Sequence, residues 1–334
     1  MSEPILLPHP VRIAARASAV GGDEYRGPLG PLFDFHDESD RFGADTWEKA
    51  EGELGRTVCN LLLARAGLSH RDVDLLFAGD LQNQCMASVC GLSGFGIPYF
   101  GLYGACSTFV EGILLASLVL TATGNIRRVA VITTSHNCAA ERQFRLPLEY
   151  GGQRPPTAQW TATAGGALLL DRGEGGVGVT ALLAGRMVDS GLTDASNMGA
   201  AMAPAAADTL LRYFDATRED PAGYDAIVTG DLGSEGSGIL SELLAARGLS
   251  LGARHIDCGM LLYDRTRQDA HAGASGCGCS AAVTAAHILP MMERGEMRRV
   301  LLMATGALMS PSGIQQGCPI VGIAPLARLE VSGI

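Results

Sequence analysis

The stretch that indicates the architecture is Gly101-Leu-Tyr-Gly-Ala-Cys106-Ser-Thr-Phe-Val110, where one cysteine lies between a glycine-rich turn and an apolar segment, Ile113 to Ala122. The apolar segment predicts a buried helix that begins just after Cys106. The first backbone N–H groups of a helix have no partner within it, and the helix dipole is positive at this end. The sequence therefore predicts that Cys106 lies where a thiolate or a bound anion is stabilised.

The same arrangement occurs twice in the chain. Two pairs of segments are alike in sequence and in order, namely Val73–Asp80 with Tyr224–Asp231 and Thr123–Thr134 with Glu293–Thr305. Each copy contains a strand ending in Gly-Asp, a glycine turn with cysteine, a helix, two arginines and a further strand. A repeat longer than about 50 residues indicates two similar folded units, not a solenoid. We therefore predict two halves, residues 1–172 and 173–334.

The fold class predicted from these elements is α/β. Strands that alternate with helices are typical of this class, and their duplication predicts two sheets that share buried helices. The best single helix runs from Thr46 to Ala66, where apolar residues recur at helical spacing and Gly67 follows. Residues 1–45 are expected to be rich in loops. With 334 residues, of which 47% are hydrophobic, the chain is long enough to bury a large core.

Composition excludes several classes of function. The net charge is −10 and Lys49 is the single lysine, so no basic surface for nucleic acid is expected. Nine cysteines without regular spacing indicate reduced thiols, and the spacing around Cys277 does not predict a zinc site. The first ten residues lack the pattern of a signal peptide. The apolar stretch 112–122 is too short to span a bilayer, so attachment to a membrane is expected only through partners.

A set of motifs spread over nearly the whole chain resembles the stage V sporulation protein AD family of endospore-forming bacteria, a branch of the thiolase superfamily. The resemblance is carried by Ala78–Gln84, Gly104–Thr108, Ser135–Pro147, Glu149–Gln153, Met198–Asp208, Ala274–Ala281 and Ala304–Pro311. It implies a thiolase-like fold of duplicated αβαβα layers with two pseudo-symmetric halves. It also implies a protein that binds dipicolinic acid and helps to move it into the developing spore.

The resemblance implies partners and a location as well. Membrane-embedded proteins of the same sporulation operon are the expected partners. The chain is then expected on the cytoplasmic side of the forespore or spore inner membrane, as a peripheral protein. By analogy with the superfamily, a homodimer is expected.

The residues can be compared with the chemistry of dipicolinate, a flat pyridine dicarboxylate that is often chelated to calcium. Such a ligand favours arginine forks, helix N-terminal N–H groups and a flat apolar wall. The candidate ligand-binding residues are Asp80, Cys106, His136, Asn137, Arg142 and Arg145. The two arginines share one face if 139–144 is helical, and we expect Arg142→Ala or His136→Ala to abolish binding. The alternative for the arginines is a surface salt-bridge network with Glu141 and Glu149.

Asp80 raises a question of its own, because it ends a strand and is repeated as Asp231. A strand-end aspartate is either a cap or part of a pocket, since α/β pockets form at the carboxyl ends of strands. If calcium accompanies the ligand, Asp80 is a suitable carboxylate. No other cofactor and no resident metal site are expected.

Cys106 also permits a catalytic hypothesis, in which it is the acyl-accepting nucleophile of an acyltransferase or condensing enzyme. Condensing enzymes of the superfamily need two further polar groups, generally two histidines or a histidine and an asparagine from the second half. The matching motifs are not found, and the histidines of the second half are His255, His271 and His287. This favours non-catalytic binding and leaves His136 as the imidazole best placed to pair with Cys106, although a plain buried cysteine is also possible.

Overall fold

The computed structural model describes residues 3–144 and 153–332. Its strands are β1 (Ile5–Gly21), β2 (Phe35–Asp37), β3 (Leu75–Gly79), β4 (Tyr99–Gly101), β5 (Arg128–Ser135), β6 (Trp160–Thr161), β7 (Ala164–Asp171), β8 (Gly176–Leu183), β9 (Ala226–Thr229), β10 (His255–Asp257), β11 (Ala274–Ser275), β12 (Arg299–Met303), β13 (Gly306–Leu308), β14 (Val321–Ile323) and β15 (Leu326–Ser332). Its α-helices are α1 (Gly22–Tyr25), α2 (Trp47–Ala66), α3 (Met86–Leu92), α4 (Thr108–Ala122), α5 (Asn137–Phe144), α6 (Met198–Thr217), α7 (Gly233–Ala245), α8 (Cys258–Leu262), α9 (Cys277–Val283), α10 (Leu289–Glu293) and α11 (Pro311–Gln315). A π-helical segment, Thr284–Ile288, joins α9 to α10.

Helix α2 begins and ends where the sequence predicts. The Thr46 side chain accepts a hydrogen bond from the backbone N–H of Lys49 at 3.4 Å, which caps the first turn. Gly67 ends the helix with φ = 65°, a left-handed conformation that glycine adopts without strain. Local capping signals were sufficient here because both ends depend on neighbouring residues only.

One 11-stranded sheet forms the centre of the molecule. Its order is β10-β9-β12-β15-β8-β1-β7-β5-β3-β4, and β2 pairs with β1. Each half contributes five strands in the same order, and β1 and β8 pair antiparallel where the halves meet. The prediction of two sheets is therefore wrong, because β1 and β8, the first strands of the two halves, pair with each other. The boundary between residues 172 and 173, which falls between β7 and β8, stays a prediction.

The first 45 residues contain more regular structure than the sequence suggests. β1 is 17 residues long and pairs with β7 on one side and β8 on the other. Its partners are about 150 positions away in the sequence, and Pro8 and Pro10 obscure any local alternation of polar and apolar residues. Tertiary pairing therefore decides this strand.

Helix α4 lies in the core. Phe109, Val110 and Ile113 are fully buried, and the helix packs against β3, β5 and α9. By length and composition alone, the helical stretch Ala105–Ala122 is long and apolar enough to cross a bilayer. Since 61% of this stretch is buried within the fold, its hydrophobicity is explained by core packing.

Candidate functional site

A cleft of about 220 Å³ lies beside Cys106, at the carboxyl ends of the sheet strands. Its apolar wall is formed by Leu81, Ala140, Phe144, Met198 and Leu308, which come from both halves of the chain. A water molecule occupies roughly 30 Å³ of liquid, so the cleft has room for about seven waters or one small organic molecule. Apolar walls with a few polar groups are typical of small-molecule sites.

The polar groups that the described residues contribute to the cleft are uncharged, with one exception. Tyr103, Thr161, Ser275 and Ser310 contribute hydroxyl groups, and Glu141 contributes a carboxylate. The part of the lining that the structure describes includes no arginine, lysine or histidine. The described lining therefore offers a ligand hydroxyl groups, a thiol, one carboxylate and apolar surface.

The turn before α4 places Cys106 at the bottom of the cleft. Ala105 has φ = 53°, so the backbone turns sharply one residue before the cysteine. The turn is fixed by side chains, because Ser107 Oγ donates to the Gly104 carbonyl and Thr108 Oγ1 to the Ala105 carbonyl, both at 2.7 Å. Such strained residues are found at functional sites when the surrounding structure holds them.

Cys106 is 5% exposed, and its Sγ lies 3.8 Å from Ser275 Oγ. Burial raises the pKa of Cys106 well above its usual range, and the nearby Asp231 carboxyl raises it further. The sequence predicted a site that favours a thiolate because a helix begins there. That prediction is wrong for the sulfur, since the loss of solvation outweighs the effect of the helix end.

Asp231 is the site residue whose role the sequence did not assign. Its Oδ1 accepts a hydrogen bond from Thr305 Oγ1 at 2.8 Å and its Oδ2 accepts one from the backbone N–H of Gly276 at 2.9 Å. Burial raises the pKa of Asp231 to about 7. The repeated Gly-Asp pattern was the available signal, but it did not say which of the two copies faces Cys106.

Asp80, the other copy of the repeated aspartate, does not line the cleft, and neither does Asp231. Both oxygens of Asp80 are already bonded, since Oδ1 accepts from the backbone N–H of Gln82 at 2.9 Å and Oδ2 accepts from the backbone N–H and hydroxyl of Ser88 at 2.8 and 2.7 Å. Burial raises the pKa of Asp80. The carboxyl group caps α3, so the calcium-binding role predicted for it is not supported by the geometry.

His136 does not pair with Cys106, contrary to the prediction. Its Nε2 is 2.8 Å from the Asp40 carbonyl oxygen, and its ring centroid lies 5.4 Å from that of Trp47. Among the described residues, its Nδ1 has no hydrogen-bond partner. Burial lowers the pKa of His136, which favours the neutral ring. The ring is directed towards the loop before α2, and it is not part of the cleft lining.

Asn137 lies behind the cleft and supports one of its walls. Its Nδ2 donates to the Thr161 carbonyl at 3.1 Å, and its backbone N–H donates to Thr163 Oγ1 at 3.2 Å. Thr161 itself lines the cleft. Asn137 therefore positions β6 and does not line the cleft itself.

Of the two arginines predicted to bind the ligand, the structure describes Arg142 only. The helix expected at 139–144 is present as α5, but Arg142 pairs with Glu48 of α2, with Nε 2.9 Å from Oε1, and does not line the cleft. The alternative, a surface salt bridge, is therefore confirmed for Arg142, but the partner shown is Glu48, which the alternative did not name. Arg145 lies outside the described residues, and it follows Phe144, which does line the cleft.

The histidines of the second half are engaged elsewhere. His255 Nε2 is 2.9 Å from Thr229 Oγ1, and His271 contacts Asp269 and the Pro155 carbonyl. His287 is half-buried on the segment that follows α9. Within residues 3–144 and 153–332, no group of three histidine, cysteine or carboxylate side chains could hold a metal ion.

Comparison with known proteins gives a consistent result. The model of the family described as stage V sporulation protein AD matches residues 2–330. Stage V sporulation protein AD of Bacillus subtilis (strain 168) is 42% identical over 325 residues, which cover 97% of this chain and 96% of that protein.

Solved structures with the same architecture are more distant in sequence. A variant of OleA from Xanthomonas campestris is 15% identical with a TM-score of 0.61, and the alignment covers 98% of this chain and 99% of OleA. The 3-oxoacyl-[acyl-carrier-protein] synthase III of Aquifex aeolicus VF5 is 13% identical with a TM-score of 0.55, covering 95% and 99% of the two chains. At this identity the likeness concerns the fold alone, and it confirms the predicted thiolase-like α/β fold.

Proposed function

Because the chain belongs to the stage V sporulation protein AD family, we propose that it binds dipicolinic acid in the cleft beside Cys106 and supports its uptake into the developing spore. The ligand enters as the free dianion or as its calcium chelate. In this proposal the protein performs no chemistry on the ligand. Family membership supports the sporulation role, and the ligand and its site are our inference.

The environment of Cys106 supports a binding function over a catalytic one. The Ser275 hydroxyl lies near the Cys106 thiol, and the Asp231 carboxyl raises its pKa. The described lining of the cleft includes no histidine that could take the thiol proton. A thiol attacks only as a thiolate, and burial raises the pKa of Cys106. The buried Cys106 thiol without a histidine in the described lining is the observation that supports binding without reaction.

The shape of the cleft supports a flat aromatic ligand. Leu81, Phe144 and Leu308 offer apolar surface for a ring, while Tyr103 and Ser310 offer hydroxyl groups for a carboxylate. A dicarboxylate also needs a cation, and the described lining contains none. Arg145 follows Phe144 directly in the sequence, so we propose its guanidinium as the partner of one carboxylate.

Arg145→Ala is expected to weaken dipicolinate binding by roughly 10- to 100-fold, because a charge-assisted hydrogen bond contributes about 1.5–3 kcal/mol. Isothermal titration calorimetry with sodium dipicolinate, with and without calcium, measures this change. Arg142→Ala is the matched control from the same segment. Its guanidinium already pairs with Glu48, so we expect an effect of less than about threefold.

Each outcome of the titration has a definite meaning. A folded wild-type protein that gives no heat with either form of the ligand would contradict the proposed function. If the Arg142 and Arg145 variants lose dipicolinate affinity equally, the binding function still stands. The assignment of Arg145 as the partner of the carboxylate would then be wrong. This control reverses the expectation from sequence, in which Arg142 was a direct ligand.

A second candidate function is supported by the position of Cys106 after the strained turn at Ala105, at the start of a buried helix. In this alternative the thiol accepts an acyl group from a thioester. A mass increase on wild-type protein incubated with acyl-thioesters, absent in Cys106→Ser, would establish it. No adduct across several chain lengths is the result that our first proposal expects.

Partners and location form part of the same proposal. We infer that the chain acts on the cytoplasmic side of the forespore or spore inner membrane, held there by membrane proteins of its sporulation operon. Its homodimer is proposed to form along β4, the edge strand of the sheet. Exposed apolar side chains lie on this strand and on the neighbouring α3, including Phe100 at 58% and Val89 at 48%.

Phe100→Lys is expected to convert the dimer to a monomer, because a charge replaces an apolar ring at an edge that pairs with a second copy. Sedimentation velocity at micromolar concentration measures the change. Met187→Lys is the control, since Met187 is 74% exposed and lies away from this edge, between β8 and α6. A wild-type protein that sediments as a monomer would refute the dimer.

A further inference from the structure

The side-chain amide of Gln143 joins two walls of the cleft beside Cys106. Its Oε1 accepts a hydrogen bond from the backbone N–H of Asn83 at 2.9 Å, and its Nε2 donates to the Leu81 carbonyl at 2.8 Å. Leu81 lines the cleft from the loop after β3, and Phe144 lines it from α5. Two hydrogen bonds from one side chain therefore connect this loop to the helix.

Both ends of the amide are needed for this connection. A primary amide has an acceptor oxygen and N–H donors, so it can bind a backbone N–H and a backbone carbonyl at the same time. An ionised glutamate of the same length offers acceptors only, and leucine offers neither group. The pair of bonds is therefore specific to a neutral group that both donates and accepts.

The loop that Gln143 holds contains strained backbone. Gln84 and Cys85 have φ values of 55° and 54°, so two consecutive residues that are not glycine adopt the left-handed conformation. Such residues persist only where the surrounding structure holds them. The Cys85 thiol donates to the Leu102 carbonyl at 3.1 Å, and Gln143 supplies the bond to Asn83. Loss of the Gln143 amide therefore allows the loop to relax.

Tyr103 contacts the same loop from another wall of the cleft. Its hydroxyl lies 3.4 Å from the Leu81 carbonyl oxygen and 3.2 Å from Asn83 Oδ1. These distances are longer than those made by Gln143, and Tyr103 is 50% exposed. Hydrogen bonds of this length are weak, so Gln143 is the stronger of the two anchors.

We propose that Gln143 is a positioning residue that fixes the separation of α5 and the loop after β3, and so sets the width of the cleft. The part that this width plays in ligand selection rests on the proposed function, in which the cleft accepts one flat ring. Without the Gln143 amide, the Leu81 and Phe144 walls are free to move apart. The cleft then admits larger molecules, and it binds a flat one less tightly because it is less preorganised.

Alkylation of Cys106 measures the width of the cleft without any ligand. The full chain is treated at pH 8.5 with iodoacetamide or with the bulkier N-phenylmaleimide, and peptide mass spectrometry gives the rate at each cysteine. Both reagents react with the thiolate, so the ratio of their rates at one cysteine is independent of its thiolate fraction. The same ratio at the exposed Cys90 corrects for the intrinsic reactivity of the reagents.

Gln143→Leu is expected to raise the corrected ratio at Cys106, maleimide over iodoacetamide, by about threefold or more, because the walls are no longer joined. Hydrogen exchange of the Asn83 amide should rise by about tenfold in the same variant, since its acceptor is removed. Gln84→Glu is the control from the same loop. Its side chain is exposed and has no hydrogen bond in the described part of the chain, so both measurements should stay within about twofold.

Gln143→Glu supplies a pH profile that a residue of merely structural importance would not show. At pH 7.5 its carboxylate faces the Leu81 carbonyl with no proton between them, so we expect exchange of the Asn83 amide about threefold or more above the wild type. At pH 4.5 the protonated carboxyl group again donates and accepts, and exchange should return to within about twofold of the wild type at that pH. Gln143→Leu should show no such recovery.

Three results would overturn the inference. The first is a wild-type protein whose rate ratio at Cys106 equals that at Cys90, which needs no variant to fold. The second is a Gln143→Leu protein, folded by circular dichroism, with the wild-type ratio at Cys106. The third is a Gln143→Glu protein whose exchange at Asn83, relative to the wild type, is the same at both pH values. None of these uses dipicolinate, so the calorimetric test of the proposed function can fail or succeed independently.

Discussion

Gly278→Ala is expected to unfold or severely destabilise the protein. An added Cβ would lie 1.9 Å from the carbonyl oxygen of Ala164 and 2.7 Å from the backbone nitrogen of Ser135. These two residues are paired where β5 ends and β7 begins, so both backbones are held by the sheet and neither can move away cheaply. Overpacking a core commonly costs about 1–3 kcal/mol, and a clash with two backbones should exceed that range.

The free energy of unfolding from urea titration measures this effect, together with the melting temperature, which we expect to fall by on the order of 10 °C. Gly238→Ala is the control of opposite sign. Gly238 is exposed within α7, and a Cβ there meets nothing within 4 Å, so alanine should stabilise the helix by about 0.5–1 kcal/mol. A Gly278→Ala protein as stable as the wild type would refute the packing of α9 against the sheet.

The elements that could be predicted from sequence are those with local signals. The cap at Thr46 and the glycine at Gly67 delimit α2, and the repeated strand that ends in Gly-Asp is present as β3 and β9. β1 was missed because its pairing residues lie far away in the sequence. The joining of the two halves into one sheet depends on the same strand, so both errors have one cause.

The candidate site was predictable in the same limited way. The turn at Cys106 follows from its glycines and the apolar helix after it, and both are confirmed. The imidazole of His136 lies against the carbonyl of Asp40, and the thiol of Cys106 lies against Ser275 of the other half. No local pattern specifies contacts between segments that are roughly 100 or more residues apart.

The buried carboxyl groups should also make the protein less stable as the pH rises from about 5 to about 7. Burial raises the pKa of Glu24 and Asp231 to about 7 and that of Asp257 to about 6. The folded chain therefore keeps protons that the unfolded chain releases near pH 4. Since the folded state binds more protons in this window, the free energy of unfolding falls with pH, by about 1.4 kcal/mol per pH unit for each group.

Histidines act in the opposite direction below about pH 6.5, because burial lowers the pKa of His136, His255 and His287.

A variant that removes one carboxyl group separates the two effects. Glu24 Oε1 accepts hydrogen bonds from Tyr263 Oη and from the Thr163 N–H, whereas its buried Oε2 has no hydrogen-bond partner in the part of the chain that the structure describes. A protonated carboxyl group suits this environment, and the amide of glutamine has nearly the same shape.

Glu24→Gln is therefore expected to flatten the dependence of stability on pH between about 5 and 7 by roughly 1.4 kcal/mol per pH unit, the contribution of one proton. Urea titrations at half-unit steps of pH measure the slope. Glu174→Gln, on the exposed turn between β7 and β8, should leave the slope as in the wild type because that side chain is exposed to solvent. If both variants retain the wild-type slope, the prediction is wrong and Glu24 is ionised in the folded protein. That result would place a negative charge in a buried site beside Tyr263, where no described cation compensates it.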